Sequence, residues 1–433
     1  MTAPVAILGG VRTPFGKAGG ALRSLATEDL GAIVTREVLA RVGLRASLVD
    51  ALIAGNVGQP AGAQNVGRVI ALLAGLPNSV PGVTVHRNCA SGLEAVVQAA
   101  DLIRLGRASI VVAVGVESMS NYPIHFNDRA AAWFARMARS KSMGAKLSTF
   151  AAWRPSFLSP VPAILKGLKD PVSGLGMGEA TERVAREWGV TRLDCDAYAV
   201  DSNLRAAKAR ERLAEEIVPV ATSYGVLSND EGVRPDSSPA ALARLTPRFD
   251  RRLGMLTAGN SSQVSDGAVA VVLASDAAIT THRLTPLGYL GASHVAALEP
   301  ERFALGPLLA IAGLHPGRSI PWDRYDRVEI NEAFAAQILV GLRAAADPEF
   351  ARMRLSLPAA LGAPPLARLN QDGGAIAIGH PVGASGARLV LNALMGLKRD
   401  GGERALVSLC VGGGLGMAAV LASTPAALTQ HQS

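Results

Sequence analysis

Two cysteines and a histidine beside glycine-rich turns are the residues of this chain best suited to chemistry. Cys89 and Cys410 each adjoin a run of small residues, and His380 is one of only seven histidines in the chain. Small neighbours let a substrate approach the backbone closely. A turn that opens a helix offers free N–H groups to a developing negative charge. A thiol, an imidazole and a second thiol in such turns favour the transfer of an acyl group.

Cys89 is the leading candidate for a nucleophile. A free thiol has a pKa of about 8.5 and needs help to ionise at neutral pH. A position at the N-terminus of a helix and a base such as His380 would both supply that help. A buried structural cysteine is the alternative for Cys89. It is the preferred interpretation for Cys195, which lies in the middle of a predicted helix.

Other polar groups could move a proton or stabilise charge. A thiol at Cys410 can relay a proton, and the backbone N–H groups after it can hold an oxyanion. Asn331 follows the predicted strand 327–330, where its amide either caps a helix or orients a water or a substrate oxygen. No G-x-G-x-x-G segment follows a strand and opens a helix, and no Cys and His spacing is typical of a metal site. We therefore expect neither a dinucleotide nor a metal.

Strand and helix patterns alternate at both ends of the chain and must position these residues. Val5–Leu8 and Ile110–Val114 are short apolar runs typical of buried parallel strands. The turn at Cys89 leads through a helical pattern over 90–105 and a glycine turn to the second run. The same order of turn, helix, glycine turn and strand recurs over 382–410, which favours a duplicated α/β fold.

Residues 121–249 interrupt this alternation with many prolines and predict an irregular insertion that contains some helices. The clearest helices cover 178–188 and about 192–213, the second capped by Thr191. The regular pattern returns with a turn into a buried strand over 266–273.

The net charge of +8 is concentrated in one part of that insertion. Residues 121–175 contain eight Lys or Arg and two Asp, a local net charge of +6. Aromatic residues are interleaved with these charges, namely Trp133, Phe134, Phe150, Trp153 and Phe157. A solvated basic face, an anionic ligand, a membrane surface and an acidic protein partner all fit this pattern. Nucleic acid is not expected, because no recognition motif accompanies the charge.

The composition limits which classes of protein this chain can belong to. The 433 residues, 49% of them hydrophobic, predict two or three domain-sized units with large cores. Three cysteines are too few for a disulfide framework and indicate a reducing compartment. The N-terminus lacks the basic segment of a signal peptide, and no run approaches the roughly 20 apolar residues of a membrane span. We expect a soluble, cytoplasmic protein.

Taken in order along nearly the whole chain, these segments resemble the thiolase family. The matching segments are Val11–Gly16, Asn88–Gly92, Gly115–Ser120, Thr257–Ser262 with Asp266–Ala268, Asn331–Phe334, Gly373–Pro381 and Cys410–Gly416. The resemblance implies a duplicated, five-layered αβαβα fold. Residues 1–120 and 250–283 would form the N-terminal half and 284–433 the C-terminal half. Residues 121–249 would be an inserted loop domain that binds coenzyme A.

The resemblance also implies roles for the candidate residues. Cys89 would be the acylated nucleophile, His380 its base, and Cys410 the acid and base at the substrate α-carbon. The N–H groups of Cys89 and Gly412 would hold the first tetrahedral intermediate. Asn331, through a bound water, and His380 would polarise the other thioester oxygen.

Coenzyme A is a substrate in this family, with no tightly bound cofactor. Ser262 matches a serine near the pantetheine, Arg234 an arginine on the phosphate side, and Met177 a methionine beside the pantetheine. The residue before that methionine is often histidine in the family, whereas this chain has Gly176.

The resemblance implies a homodimer or a dimer of dimers. Residues 141–148 and 157–160 look like the long insertion of trifunctional-complex β subunits, which cleave medium- and long-chain 3-ketoacyl-CoA. In those enzymes the insertion contacts the membrane or an α subunit with hydratase and dehydrogenase activities. We predict an acetyl-CoA C-acyltransferase of fatty-acid β-oxidation with ping-pong kinetics. A biosynthetic acetoacetyl-CoA thiolase is the alternative, and a non-catalytic acyl-binding protein of the same fold is a remote one.

Overall fold

The structure is a computed structural model that describes residues 3–429. The strands are β1 (Val5–Arg12), β2 (Gly16–Lys17), β3 (Ala51–Gly55), β4 (Gly82–Val85), β5 (Ile110–Ser118), β6 (Ile124–Phe126), β7 (Pro160–Pro162), β8 (Val220–Thr222), β9 (Gly225–Leu227), β10 (Ser265–Ala274), β11 (Gly288–Ala297), β12 (Arg327–Ile330), β13 (Arg404–Val411) and β14 (Leu415–Ala422).

The helices are α1 (Thr27–Arg41), α2 (Val66–Leu73), α3 (Ser91–Arg104), α4 (Asp128–Arg139), α5 (Met143–Ala151), α6 (Ala163–Gly167), α7 (Met177–Glu187), α8 (Arg192–Lys208), α9 (Arg210–Ala214), α10 (Pro239–Ala243), α11 (Asp276–His282), α12 (Gly306–Gly313), α13 (Ala335–Ala346), α14 (Pro348–Leu355), α15 (Ala375–Ile378), α16 (Ser385–Asp400) and α17 (Pro425–Thr429). Between residues 3 and 429, no helix is long and apolar enough to cross a membrane.

A ten-stranded mixed sheet runs through both halves of the sequence. Its order is β12-β13-β14-β11-β1-β10-β5-β3-β4, with β2 beside β10. The β3, β4 and β5 strands are parallel, as are β12 and β13, whereas the strands between them pair antiparallel. The strands predicted at 5–8 and 110–114 are therefore confirmed as β1 and β5. The prediction that both are parallel is wrong for β1, which is antiparallel to both neighbours.

The helices cover the sheet in a way that gives five layers. The central layer is the pair α3 and α16, which pack on each other and on the inward faces of the strands of both halves. Helices α1 and α2 cover the outer face of the N-terminal strands, and α12 and α13 cover the outer face of the C-terminal strands. This αβαβα order confirms the predicted duplicated α/β fold.

The two central helices occupy matching places in the two halves. Each follows a turn of small residues and is followed by a left-handed glycine, Gly106 with φ 67° or Gly401 with φ 68°. Their first turns touch, because a Cβ on Gly92 would lie 2.7 Å from the carbonyl oxygen of Gly383. Such an approach of two backbones requires glycine. The predicted repeat of turn, helix, glycine turn and strand is confirmed.

The insertion separates two strands that are neighbours in the sheet. The chain leaves at the end of β5 and returns at the start of β10, where Ser118 and Asp266 pair directly. The helix predicted at 178–188 is confirmed as α7, and the one at 192–213 forms α8 and α9 with a break at Ala209. Thr191 caps α8 by accepting a hydrogen bond from the Asp194 N–H at 3.2 Å.

The insertion contains helices, as expected, and its first part holds regular elements that the sequence does not locate. Helices α4, α5 and α6 and the antiparallel pair β6–β7 occupy much of 121–170. An aromatic cluster contributes to this packing, with the ring centroids of Trp133 and Phe134 5.0 Å apart. The sequence does not locate these helices, because apolar side chains such as Phe134, Leu147 and Phe150 stay exposed on them and do not pack into a core.

The close crossing of α3 and α16 can be tested with a single methyl group. Gly92→Ala is expected to lower stability by about 1–3 kcal/mol, because the new Cβ meets backbone atoms that cannot turn aside. Gly341→Ala in α13 is the matched control. No atom lies within 4 Å of a Cβ built there, so it should leave the melting temperature unchanged or raise it. Calorimetry that finds equal melting temperatures for Gly92→Ala and the wild type would contradict the crossing.

Candidate active site

Cys89 lies in the turn that opens α3. The N–H groups of Ala90 and Ser91 donate to the carbonyls of Arg87 and Asn88, each at 3.0 Å. The Ser91 hydroxyl also donates to the Asn88 carbonyl at 2.7 Å. The Cys89 residue is half-buried, whereas the other two cysteines are buried. The thiol predicted to be the nucleophile is therefore the most accessible of the three.

Burial keeps this thiol protonated. It raises the pKa of Cys89 to about 11, and the charge of nearby Glu117 acts in the same direction. Hydrogen bonds from the backbone N–H groups of Gly412 and of Cys89 itself lower the pKa but do not offset burial. The backbone N–H groups of the turn thus act in the direction expected for this position, although burial has the larger effect on the pKa of Cys89. The same two N–H groups nevertheless point at the sulfur, where an oxyanion would form beside it.

Cys410 lies near the end of β13 and is only 1% exposed. It belongs to a small apolar cluster with Ala333 and Phe303, against which Met177 packs. Burial raises the pKa of the Cys410 thiol well above its ordinary value, and the charge of Cys89 adds to the effect. The two thiols come from different halves of the fold and lie close enough for a charge on Cys89 to raise the pKa of Cys410.

His380 lies between α15 and α16 and is held by the first residue of α16. Its Nδ1 is 2.6 Å from the Ser385 hydroxyl, which donates to the Pro381 carbonyl at 3.0 Å. The proton of the neutral ring is thus placed on Nδ1, and Nε2 is free to accept. Burial, with the charge of Arg388, lowers the pKa of His380 to about 4. The imidazole is neutral at neutral pH and can take a proton.

Asn331 faces that imidazole. Its Nδ2 lies 3.4 Å from His380 Nε2, and the residue is fully buried. Its Oδ1 has no hydrogen-bond partner among the protein atoms of residues 3–429. The alternative of a helix cap is wrong, because α13 begins at Ala335 with Phe334 as its N-cap.

A buried carboxylate joins the loops of the two halves. Glu117, at the end of β5, accepts from the N–H groups of Val57, Gly58 and Gly383 at 2.9–3.0 Å and from the Tyr122 hydroxyl at 3.0 Å. Burial raises the pKa of this carboxyl to about 7, and these hydrogen bonds act against the rise. Because Gly383 lies three residues after His380, Glu117 ties the histidine loop to the N-terminal half.

The residues predicted to contact coenzyme A fall in two places. Met177 begins α7, and a Cβ on Gly412 would lie 3.4 Å from its sulfur. Ser262 donates its N–H to the Ala333 carbonyl at 3.0 Å, which places it beside the segment that follows Asn331. Arg234 is not part of this group. Its side chain is exposed, and its N–H donates to Asn203 Oδ1 at 3.0 Å.

Three residues of this region received no role from the sequence: Asn88, Glu117 and Ser385. Signals for them were nevertheless present. Glu117 is a lone charge at the end of an apolar strand, and Ser385 follows His380 by five residues in a tight turn. Asn88 directly precedes the candidate nucleophile and belongs to a residue type that tolerates positive φ.

Fold and site together define the class of protein. A duplicated α/β fold places two thiols, a neutral imidazole and aimed backbone N–H groups where its halves meet. A thiol nucleophile, a proton acceptor and N–H groups that can hold an oxyanion are the groups by which an enzyme transfers an acyl group.

Comparison with known families gives the same result. The model of the thiolase N-terminal domain matches residues 5–277, and that of the thiolase C-terminal domain matches residues 284–423. The chain belongs to the thiolase family. It is therefore an acyltransferase that uses coenzyme A as a substrate.

Individual relatives cover nearly the full chain. A 3-ketoacyl-CoA thiolase of Pectobacterium carotovorum is 37% identical over 97% of this chain and 97% of its own length. A beta-ketoadipyl-CoA thiolase of Pseudomonas aeruginosa is 40% identical over 96% and 98%. Human mitochondrial 3-ketoacyl-CoA thiolase in complex with CoA superposes with a TM-score of 0.83 at 31% identity, covering 98% of each chain. The acetyl-CoA acetyltransferase of Bacillus anthracis gives 0.82 at 32% identity, covering 97% and 99%.

The raised thiol pKa makes a prediction about reactivity. Iodoacetamide should modify Cys89 before Cys195 and Cys410. Its rate should rise about tenfold per pH unit between about pH 7 and pH 9, since a pKa of about 11 leaves the thiol protonated throughout. Peptide mapping by mass spectrometry measures the rate, with an unfolded cysteine peptide as the control, because its ordinary pKa of about 8.5 makes its rate begin to level off within this range. A plateau for Cys89 below pH 8, or earlier modification of Cys195, would show that burial does not govern this thiol.

Proposed function

We propose that this chain is a degradative 3-ketoacyl-CoA thiolase of fatty-acid β-oxidation. It would cleave its substrate with free coenzyme A, giving acetyl-CoA and an acyl-CoA two carbons shorter. The observation that carries the proposal is the meeting of the Cys89 thiol, the Gly412 N–H and the Cys410 thiol across the two halves. The neutral pair of His380 and Asn331 adds a proton acceptor and an amide.

In the first half-reaction Cys89 is acylated. His380 Nε2 takes the thiol proton as the sulfur bonds to C3 of the substrate, and the N–H groups of Cys89 and Gly412 hold the resulting oxyanion. When the C2–C3 bond breaks, its electron pair passes into the enolate of the leaving acetyl-CoA. The protonated imidazole and Asn331, through a water, stabilise the enolate oxygen. Cys410 then gives its proton to C2.

In the second half-reaction coenzyme A removes the acyl group. The Cys410 thiolate takes the proton of the incoming thiol, whose sulfur attacks the acyl carbonyl at the same N–H groups. Cys89 leaves and regains its proton from His380. Both thiols and the imidazole then have their starting protons, so the two half-reactions predict ping-pong kinetics.

The inserted residues 121–249 would form the cover over the coenzyme A site. Met177 lies close enough to Gly412 and Cys410 to contact a pantetheine, and Ser262 lies beside the segment after Asn331. The exposed cation of Arg234 fits the phosphate end of the ligand. The division into an N-terminal half, an insertion and a C-terminal half at 121, 250 and 284 belongs to the same proposal.

Other substrates remain candidates because of the relatives. The beta-ketoadipyl-CoA thiolase at 40% identity favours a substrate with a terminal carboxylate, and the superposed acetyltransferase favours synthesis of acetoacetyl-CoA. The basic insertion argues against the small biosynthetic type. A non-catalytic acyl-binding protein is disfavoured, because binding alone needs neither two thiols nor an imidazole.

An oligomer is also part of the proposal. Strand β4 is an edge strand of the large sheet, paired only with β3 among residues 3–429, and Val83 on it is 47% exposed. An edge strand with an exposed apolar side chain favours pairing with another chain, here a second copy in a homodimer or a tetramer. The three free cysteines fit a cytoplasmic location.

Removal of the nucleophile tests the mechanism. Cys89→Ala is expected to lower thiolysis of acetoacetyl-CoA or of longer 3-ketoacyl-CoA by at least about a thousandfold, because the covalent step is lost. Cys195→Ala is the matched control, since that buried thiol has no place in the mechanism. Wild-type rates in Cys89→Ala, measured by the formation of acetyl-CoA, would refute the role of Cys89.

A substrate series decides among the candidate functions. For a long-chain thiolase, kcat/KM should rise about fourfold for each added CH₂ that the pocket buries, at ~0.8 kcal/mol each. The series covers 3-ketoacyl-CoA of about four to sixteen carbons, with 3-ketoadipyl-CoA beside 3-ketohexanoyl-CoA as the neutral control. A maximum at four carbons would favour the biosynthetic type. A preference for the carboxylate would favour the ketoadipyl type.

The basic stretch 121–175 is proposed to bind an anionic membrane or an α subunit with hydratase and dehydrogenase activities. Phe126, Phe134 and Phe150 are exposed there at 45–67% among the arginines of α4. Flotation at low salt should recover the protein with anionic vesicles and not with neutral ones, and pull-down tests the subunit. The double change Arg136→Glu and Arg139→Glu should abolish either contact. No binding in both assays would leave only a solvated basic face.

A further inference from the structure

The residue before the nucleophile has an unusual backbone conformation. Asn88 has φ 43° and is one of four residues other than glycine with positive φ in the described part of the chain. Two hydrogen bonds hold the conformation, since the Asn88 carbonyl accepts from both the N–H and the hydroxyl of Ser91. A backbone kept in a sparsely populated region next to a reacting atom points to a positioning role.

The side chain of Asn88 reaches across to the other half of the fold. Its Nδ2 donates to the Gly412 carbonyl at 2.7 Å, a short bond between residues 324 positions apart. Gly412 is also the residue whose N–H lies against the Cys89 sulfur. A single asparagine thus connects the backbone at the nucleophile to the backbone that faces it.

The turn that receives this bond has little stiffness of its own. Gly412, Gly413 and Gly414 form the connection between β13 and β14, and the last two have φ 85° and 76°. The far end is fixed, because the Gly414 carbonyl accepts from the Leu298 N–H at 2.8 Å. At the near end, Asn88 holds the Gly412 carbonyl. The Gly412 N–H belongs to the peptide shared with Val411, which pairs with Leu415 at the end of β13. The Asn88 bond holds the next peptide, on the other side of the Gly412 Cα, and so limits the torsion angles of a residue that has no side chain to restrict them.

We propose that Asn88 is a positioning residue that fixes the Gly412 N–H for the acylation of Cys89. The inference rests on the proposed function, because that N–H is useful only if an oxyanion forms beside the sulfur. Asn88 itself need not touch the substrate. Its amide restrains the peptide that follows the Gly412 Cα, and with it the Gly412 torsion angles, before the reaction, so less reorganisation of the N–H is needed as negative charge develops.

Asparagine combines two properties that this position needs. It tolerates positive φ better than most side chains, and its amide donates a hydrogen bond. Glycine would keep the conformation but lose the donor. Aspartate would keep the size and much of the backbone tolerance but place a carboxylate against the Gly412 carbonyl.

The experiment compares Asn88→Gly and Asn88→Asp with the wild type. Both are expected to lower the single-turnover rate of Cys89 acylation and kcat by about ten- to a hundredfold, with KM for the 3-ketoacyl-CoA within about twofold. Both should also slow alkylation of Cys89 by iodoacetamide at each pH, because the Gly412 N–H no longer favours the thiolate. Arg283→Gly, a glycine at an exposed position with φ 54°, is the matched control and should change neither rate.

The outcomes separate the backbone conformation from the hydrogen bond. If Asn88 served only to hold a positive φ, Asn88→Gly would acylate and alkylate like the wild type, and that result overturns the proposal. Slowed alkylation in both variants supports it independently of turnover. If the wild-type enzyme cleaved no 3-ketoacyl-CoA, the proposed function would fail, while the alkylation rates would still decide whether Asn88 positions the N–H.

Discussion

The close approach of the first turns of α3 and α16 is the constraint on which the rest of the structure depends. Gly92 meets the backbone at Gly383, so the turn with Cys89 and the loop with His380 are forced together. A buried carboxylate, Glu117, reinforces the contact by accepting N–H groups from both halves. The junction of a duplicated fold thus becomes an active-site candidate, because the candidate nucleophile Cys89 lies in one half while His380 and Cys410 lie in the other. Glycine at the crossing is a functional requirement as much as a packing one.

Burial at this junction sets the resting protonation of Cys89 and His380. It raises the pKa of Cys89 to about 11 and lowers that of His380 to about 4, so thiol and imidazole are both neutral at neutral pH. In the proposed mechanism, the N–H groups of Cys89 and Gly412 meet negative charge only as the substrate reacts. Such donors stabilise a transition state more than a ground state, because they are oriented beforehand in a site of low dielectric constant.

The sequence predicts the framework well, because its signals are local. Glycine-bounded apolar runs predict β1 and β5, a cap at Thr191 predicts the start of α8, and small-residue turns identify the segments of Cys89, His380 and Cys410. What it misses depends on distant contacts. Burial outweighs the helix N-terminus at Cys89, and Asn331 turns toward His380 instead of capping α13. The bond from Asn88 to Gly412 spans 324 positions, and no local pattern encodes it. The sequence does not locate the helices of 121–170, because many of their apolar side chains remain exposed.

The central claim is that an acyl group passes through Cys89 where the two halves meet. Mass spectrometry of the enzyme quenched in acid after mixing with a 3-ketoacyl-CoA, with no free coenzyme A, tests it most directly. The account predicts a mass increase equal to the shortened acyl group, located on the peptide that contains Cys89 and removed when coenzyme A is added. An acyl group on Cys410 or Cys195, or release of acetyl-CoA with no acyl group on any cysteine, would contradict it.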